Sequence, residues 1–379
     1  MSTNYESVKN WIVNSGLIIS DNQDSNFGAV YSYFDESKKT YSFLYPEITG
    51  YCASACSFLY TLEKNNDYLK LADASSKWLI KLFENYGAIV QGIEYSNSKR
   101  KKLAYSFDTA ICAKGLLDCY NITNDPIILE YAKKFINWVL ESLDDDGTLM
   151  PFMEIENKKF LQSDDVWYKQ KSCLHIKTAM PLLQLFSITK DSEFLQKAEQ
   201  ICDTYPKFQL ENGSYSIHEG TNVINLHTQS YALEGLLFAY NFTKKKEYLK
   251  SVRKALDWCV SNIENDGSIS LWFNFKDKSK AVYPIAQVIR LLILMDKILK
   301  EEKYKSYTDK LVQFMTSLQA QNSDHRINGG FYEEFYKSMF GWKKRLKLNS
   351  WGSLFALQAL HWYDNYDKID FENSILTLY

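Results

Sequence analysis

The chain has 379 residues, a hydrophobic content of 46% and a formal net charge of −2. This composition supports a large folded core. The near balance of charges excludes a general attraction to nucleic acid or to anionic membranes as the basis of function.

The cysteines and the N-terminal segment bear on location. The odd number of seven cysteines, all within apolar helical patterns, predicts buried free thiols in a reducing compartment, the cytoplasm. Residues 1–16 lack the features of a signal peptide, and no apolar run approaches the length of about 18 residues that a membrane-spanning helix requires. We therefore expect neither secretion nor a membrane span.

Internal repetition is the main organising feature of the sequence. Strongly apolar helical segments begin six times, at intervals of roughly 55 to 65 residues. Their starts are Glu47, Phe107, His175, His227, Tyr283 and Asn349. Each segment contains small residues, which allow helices to approach closely in a crowded inner layer.

A second, amphipathic helix follows each of the first five apolar segments. Apolar residues at positions i, i+3, i+4 and i+7 predict these outer helices. Their predicted ranges are 69–85, 127–143, 193–202, 248–263 and 309–321. Turn sequences such as Asp145-Asp146-Gly147 then precede short strand-like returns at 148–153, 214–217, 268–273 and 331–335.

The two ends of the chain complete the pattern. The sixth inner helix, predicted at 350–363, has only a short tail, and an amphipathic helix at 5–15 has no inner partner. Pairing them gives six helical hairpins. The sequence therefore predicts an all-α fold, an (α/α)6 toroid with short β-hairpins at one rim. We expect a single domain, 1–379, in which the N-terminal helix closes the ring against the C-terminal inner helix.

In such a ring all inner helices run in the same direction, so their N-termini gather at one mouth. Helix dipoles and free N–H groups there favour anionic side chains and ligands. Glu47 and Asp108 begin neighbouring inner helices. Paired carboxyl groups perform acid and base work in the cleavage of glycosidic bonds, although both residues also fit as helix caps. Because a helix dipole lowers a carboxyl pKa, we expect Glu47 to act as base or nucleophile, with Asp108 or a histidine as proton donor.

Further candidates lie at the other helix starts and at the rim. His175 and His227 are candidate catalytic groups, and a structural role is equally compatible with their positions. The candidate substrate-binding residues are polar or aromatic: Tyr45, Tyr51, His218, Gln229, Trp272, Trp342 and Trp351. Packing in the core would equally explain the tryptophans.

Several motifs are absent. The sequence has no phosphate-binding P-loop, dinucleotide-binding glycine motif or serine nucleophile elbow. No cysteine and histidine set has zinc-ligand spacing. We therefore expect no cofactor and no metal.

The stretches 27–35 (FGAVYSYFD) and 41–51 (YSFLYPEITGY) resemble proteins of surface-polysaccharide and archaeal N-glycosylation pathways. Those proteins look like members of the six-hairpin glycosidase superfamily, which includes unsaturated glucuronyl hydrolases, sugar 2-epimerases and glucuronyl C5-epimerases. The resemblance implies an active site at the mouth and a saccharide substrate, free or linked to a lipid or nucleotide, with a uronic acid as one candidate. By position, Asp108 looks like the inner-helix aspartates of the glucuronyl hydrolases.

Three functions are compatible with these features of the sequence. The first is a glycoside-hydrolase-like enzyme that uses Glu47 and Asp108. The second is a sugar epimerase or isomerase, which needs two proton-transfer groups on opposite faces of one carbon. The third is a non-catalytic glycan-binding toroid. The sequence leaves the sugar, the linkage, the stereochemical course and the oligomeric state undecided.

Overall fold

A computed structural model describes residues 3–92 and 103–379. Most of its regular structure is helical. The α-helices are α1 Thr3–Asn14, α2 Pro46–Glu63, α3 Asn66–Tyr86, α4 Ser106–Thr123, α5 Pro126–Leu140, α6 Ala179–Thr189, α7 Ser192–Cys202, α8 Leu226–Thr243, α9 Lys246–Ser261, α10 Val282–Leu299, α11 Lys305–Ser317, α12 Ser350–Asp364 and α13 Phe371–Leu376.

The strands are short and form small antiparallel sheets. They are β1 Tyr33–Asp35, β2 Thr40–Tyr41, β3 Leu103–Tyr105, β4 Phe152–Glu154, β5 Lys159–Leu161, β6 Ile224–Asn225, β7 Trp272–Phe273, β8 Lys280–Ala281, β9 Glu334–Ser338, β10 Gly341–Lys344 and β11 Lys347–Asn349. The sheet orders are β11-β1-β2, β10-β9-β8, β3-β4-β5 and β6-β7.

The chain divides into two compact units. The first, here the C-terminal unit, comprises Met1–Leu17, Tyr33–Tyr41 and Tyr205–Leu378. The second, the N-terminal unit, comprises Ile18–Ser32, Ser42–Thr204 and Tyr379.

Each unit contains a row of inner helices that is covered by outer helices. In the N-terminal unit α2 packs against α4, and α4 against α6, while α3, α5 and α7 cover them. In the C-terminal unit α10 packs between α8 and α12, with α9, α11 and α1 on the outside. Every residue of α2 from Pro46 to Leu59 is buried, as expected for an inner helix that is enclosed on all sides.

The connection from an inner helix to the following outer helix has the same backbone conformation in several repeats. The inner helices α2, α4, α6, α8 and α10 each end at a residue in the left-handed conformation: Lys64, Asn124, Lys190, Lys244 and Lys300. At three of these connections an Asn or Asp then caps the outer helix, as where the Asp125 side chain accepts from Ile127 N at 2.9 Å. The helices predicted from the sequence repeat are present in the structure, and their ends differ from the predicted ones by a few residues.

Two predicted details differ from the structure. The third inner helix begins as a 3-10 helix, Cys173–Thr178, before α6. Pro181 explains the delay, because it has no N–H to donate to the carbonyl four residues earlier. The predicted return segments form strands over only part of their length, since much of their backbone bonds instead in turns such as the one capped by Asp146. The single-domain boundary and the closure of the ring stay predictions.

Candidate active site

Two glycines allow helices α2 and α4 to pack closely. A Cβ added to Gly115 would lie 2.4 Å from the carbonyl oxygen of Gly50, and one added to Gly50 would lie 2.9 Å from the Cα of Cys112. The Cys112 thiol also bonds to the carbonyl of Pro46 at 3.3 Å. Only residues without a side chain permit this approach of two helix backbones. It aligns the carboxyl groups that begin the two helices.

Those carboxyl groups belong to Glu47 and Asp108, the pair predicted from the sequence. Their side chains are buried, with 8% and 6% of their surfaces exposed. The side chain of Tyr45, the residue that precedes α2, hydrogen-bonds with both carboxyl groups. Asp108 Oδ2 has no hydrogen-bond partner among the described residues. The structure thus places two buried carboxyl groups beside a half-buried phenol, with an acceptor oxygen of Asp108 still available.

The protonation of this pair differs from what the sequence indicated. Burial raises the pKa of Glu47 to about 7, against the lowering by Tyr45 and Lys177. Burial, and secondly the charge of Glu47, raise the pKa of Asp108 well above its usual range. The expected lowering of the Glu47 pKa by a helix dipole is wrong, because desolvation of a buried carboxylate outweighs a dipole effect of about 0.3–1 kcal/mol. Burial therefore favours the protonated form of both carboxyl groups, and Glu47 loses its proton at a pH of about 7.

Lys177 is a member of this cluster that sequence reasoning missed. It is 1% exposed, and its ammonium lies 5.1 Å from the centre of the Tyr51 ring. Its charge favours the ionised form of Glu47. Its position in the apolar first turn of a predicted inner helix could have identified it from the sequence, since a buried lysine requires a partner.

His175 also lies in the N-terminal unit, where it has a structural role. It is buried, and its Nδ1 accepts a hydrogen bond from the backbone N–H of Ser172 at 3.3 Å. The Ser172 side chain in turn accepts from Leu174 N, so the two residues cap the 3-10 helix. The catalytic role of His175 stays a prediction.

The C-terminal unit holds a separate cluster around His227, in the first turn of α8. The ring of His227 lies 4.2 Å from the Tyr231 ring and 4.6 Å from the Tyr283 ring, centre to centre. Trp351, at the start of α12, lies 5.8 Å from Tyr283. Two candidates from distant segments, His227 and Trp351, are therefore joined through Tyr283.

A buried chain of polar side chains fixes the orientation of His227. Gln287 Oε1 lies 2.5 Å from His227 Nδ1, and Gln287 Nε2 donates to Glu234 at 3.2 Å. Glu234 forms an ion pair of 2.6 Å with Arg290, and both side chains are fully buried. Because the Glu234 carboxylate only accepts, the Gln287 amide oxygen must face the histidine. His227 Nδ1 therefore donates, and in the neutral imidazole Nε2 is an acceptor.

The remaining candidates are dispersed over the C-terminal unit. Gln229 is fully buried, with its amide bonded to Tyr215 N at 2.7 Å and to Cys259 Sγ at 3.1 Å, so its geometry does not support substrate binding. Trp272 pairs with Asn225, the cap of α8. His218 is half-buried in the loop before β6, and Trp342 is exposed on β10.

The described residues offer neither a cluster of metal ligands nor a membrane-spanning helix. Among residues 3–92 and 103–379 there is no group of three or more histidine, cysteine or acidic side chains that could hold a metal ion. Within the same part of the chain, no helix is long and apolar enough to cross a membrane.

Two known protein families match parts of the chain. Residues 32–184 match glycosyl hydrolase family 76, and residues 168–339 match the ulvan lyase N-terminal domain. No curated protein matches the chain.

Solved structures match almost the whole chain. Cellobiose 2-epimerase from Bacillus thermoamylovorans aligns with a TM-score of 0.77 at 13% identity, covering 97% of this chain and all of that one (100%). A D-mannose isomerase aligns with a TM-score of 0.76 at 12% identity, covering 97% and 98% of the two chains. An unsaturated glucuronyl hydrolase from a Bacillus species aligns with a TM-score of 0.70 at 12% identity, covering 94% and 96%.

At 12–13% identity, these structures show that the chain shares their fold. The predicted fold class is confirmed: the chain is an all-α (α/α)6 toroid with a few short strands. The match to glycosyl hydrolase family 76 supports a carbohydrate-active enzyme.

Proposed function

We propose that this six-hairpin protein cleaves a glycosidic bond with Asp108 as the proton donor and Glu47 as the base or nucleophile. The observation that carries the proposal is the buried pair itself, joined by the Tyr45 hydroxyl and adjacent to Lys177. Two neighbouring carboxyl groups whose surroundings raise their pKa values to different extents are suited to opposite roles, the more readily protonated one as acid.

The chemistry follows from these protonation states. Asp108 transfers its proton to the glycosidic oxygen as the bond from that oxygen to the anomeric carbon breaks. Glu47 either removes a proton from the water that attacks the anomeric carbon, or attacks that carbon itself and is released by water in a second step. Lys177 favours the ionised form of Glu47, on which either route depends.

Five of the seven residues of the motif at 45–51 contribute to this cluster or to its position. Tyr45 bonds to both carboxyl groups, Pro46 begins α2, and Glu47 is the proposed base. Gly50 allows the close approach of α4, and Tyr51 lies beside Lys177. We therefore propose that the resemblance to surface-glycan proteins reflects a shared site, with a saccharide as substrate. Uronic-acid-containing oligosaccharides are the class to test first, because a glucuronyl hydrolase is among the structural neighbours.

The test is turnover of uronic-acid oligosaccharides by the wild type, Glu47→Gln and Asp108→Asn, with product analysis. We expect each substitution to reduce kcat/KM by at least about a hundredfold, with the circular dichroism spectrum unchanged. Glu156→Gln, on an exposed turn, is the matched control and should keep full activity. Full activity in both site variants would overturn the assignment.

An epimerase is the second candidate, and the arrangement at His227 supports it. With Nδ1 donating to Gln287, Nε2 carries the lone pair that a general base needs. His227 would then be one of the two proton-transfer groups at a sugar carbon. Incorporation of solvent deuterium into an uncleaved sugar, lost in His227→Asn, would support this function over hydrolysis.

A further inference from the structure

The hairpin formed by β9 and β10 projects an apolar tip. Met339 and Phe340, at its turn, are 94% and 84% exposed, and Trp342 and Leu346 are 45% and 47% exposed. These are four of the nine large hydrophobic side chains that are exposed in the described parts of the chain. Such a concentration of apolar surface within eight residues marks an interaction site.

The same hairpin is strongly basic. Residues 337–347 contain five cationic side chains and no carboxylate, in a protein whose net charge is −2: Lys337, Lys343, Lys344, Arg345 and Lys347. Arg345 is paired with Glu334 at 2.6 Å. Lys343 lies 5.4 Å from the centre of the Phe340 ring, next to the apolar tip. Cations therefore flank the exposed apolar side chains.

We propose that this hairpin docks the protein on an anionic lipid surface. Met339 and Phe340 enter the boundary between headgroups and acyl chains, while Lys337 and Lys343 approach the lipid phosphates. Stable attachment to a membrane surface needs two contributions, and an apolar insertion combined with a basic patch provides them. The attraction is local to the hairpin, which reconciles it with the balanced charge of the whole chain.

A second copy of the chain fits the hairpin less well. The exposed apolar side chains offer on the order of 500 Å², below the roughly 800 Å² that each partner contributes to a stable interface. Two such hairpins would also bring like charges together. A lipid surface requires neither a larger area nor a complementary partner, and its negative charge matches the flanking lysines.

The proposal is independent of the reaction at Glu47 and Asp108, and it is tested by sedimentation of the purified protein with vesicles. One set contains phosphatidylcholine alone, and the other contains phosphatidylglycerol as well. We expect binding to the anionic vesicles only, weakened by added salt because exposed charges are screened.

Two variants separate the contributions. Met339→Ser/Phe340→Ser should weaken binding at least about tenfold. Lys337→Gln/Lys343→Gln should remove the preference for anionic vesicles. The matched controls are Ile127→Ser, another exposed apolar residue, and Lys250→Gln/Lys254→Gln on α9, which should bind as the wild type does.

Three results would overturn the proposal. The first is an absence of wild-type binding to anionic vesicles at low salt, and the second is equal binding by the wild type and the double serine variant. The third is a concentration-dependent dimer that the serine variant abolishes, which would assign the hairpin to contact between copies.

Discussion

Gly115 of α4 lies against the backbone of Gly50 in α2, so closely that a Cβ on Gly115 would be 2.4 Å from the Gly50 carbonyl oxygen. This contact lies about two turns from Asp108 and one turn from Glu47 along the two helices. The separation of the proposed catalytic carboxyl groups thus depends on residues that have no functional group.

The glycine contact gives the first prediction. Gly115→Ala forces α2 and α4 apart, and overpacking of this kind costs about 1–3 kcal/mol of unfolding free energy. Urea denaturation measures that loss. Because Gly50→Ala disturbs the same contact, we expect the double variant to lose less stability than the two single losses combined. Strict additivity would show that the helices do not meet at this point.

The second prediction concerns the pH dependence of turnover. Glu47 must be ionised to act as a base, and its pKa is raised to about 7. We therefore expect kcat/KM to rise as the pH increases through about 7. In Tyr45→Phe, loss of a hydrogen bond that lowers the pKa of Glu47 should move this limb to higher pH. Tyr60→Phe, near the far end of α2, should leave the limb in place.

The third prediction concerns stability. Below about pH 4.5 Glu47 is protonated whether the chain is folded or unfolded, so it makes no difference to stability. As the pH rises towards about 7, the folded state retains a proton that the unfolded state releases, and stability falls. Since one pKa unit corresponds to about 1.4 kcal/mol, Glu47→Gln should stabilise the protein by up to about 3 kcal/mol at about pH 8.

Urea denaturation at two pH values checks this difference. The advantage of Glu47→Gln should vanish near pH 4. Glu156→Gln, on an exposed turn, should show no comparable change between the two conditions. A variant less stable than the wild type at about pH 8 would contradict the raised pKa of Glu47.

The fourth prediction concerns the tautomer of His227. In the wild type, Gln287 holds the proton on Nδ1, which nitrogen-15 NMR of the imidazole identifies. Gln287→Leu removes the acceptor, and we expect a mixture of the two tautomers. Gln229→Leu is the matched control, because it alters a buried glutamine bonded to Tyr215 and Cys259 and should leave the His227 tautomer unchanged. An unchanged tautomer in Gln287→Leu would disprove the orienting role.

The ion pair behind Gln287 is the subject of the fifth prediction. Glu234→Gln leaves the fully buried Arg290 without its carboxylate partner. Removal of one partner of a buried pair costs about 3–5 kcal/mol, which urea denaturation measures. Glu219→Gln in a loop is an exposed control that should change stability by less than about 0.5 kcal/mol.

Local sequence patterns are enough to predict the repeat of inner and outer helices, the toroid class and the proximity of Glu47 to Asp108. Those features follow from local patterns: apolar periodicity, Asx caps and acidic residues at helix starts. The protonation and the partners of these groups depend on tertiary packing. Desolvation reverses the direction expected for the Glu47 pKa, and Lys177 and the chain from Gln287 to Arg290 act through partners that are distant in sequence. Burial and side-chain contacts between separate helices are properties of the packed chain, and no local pattern encodes them.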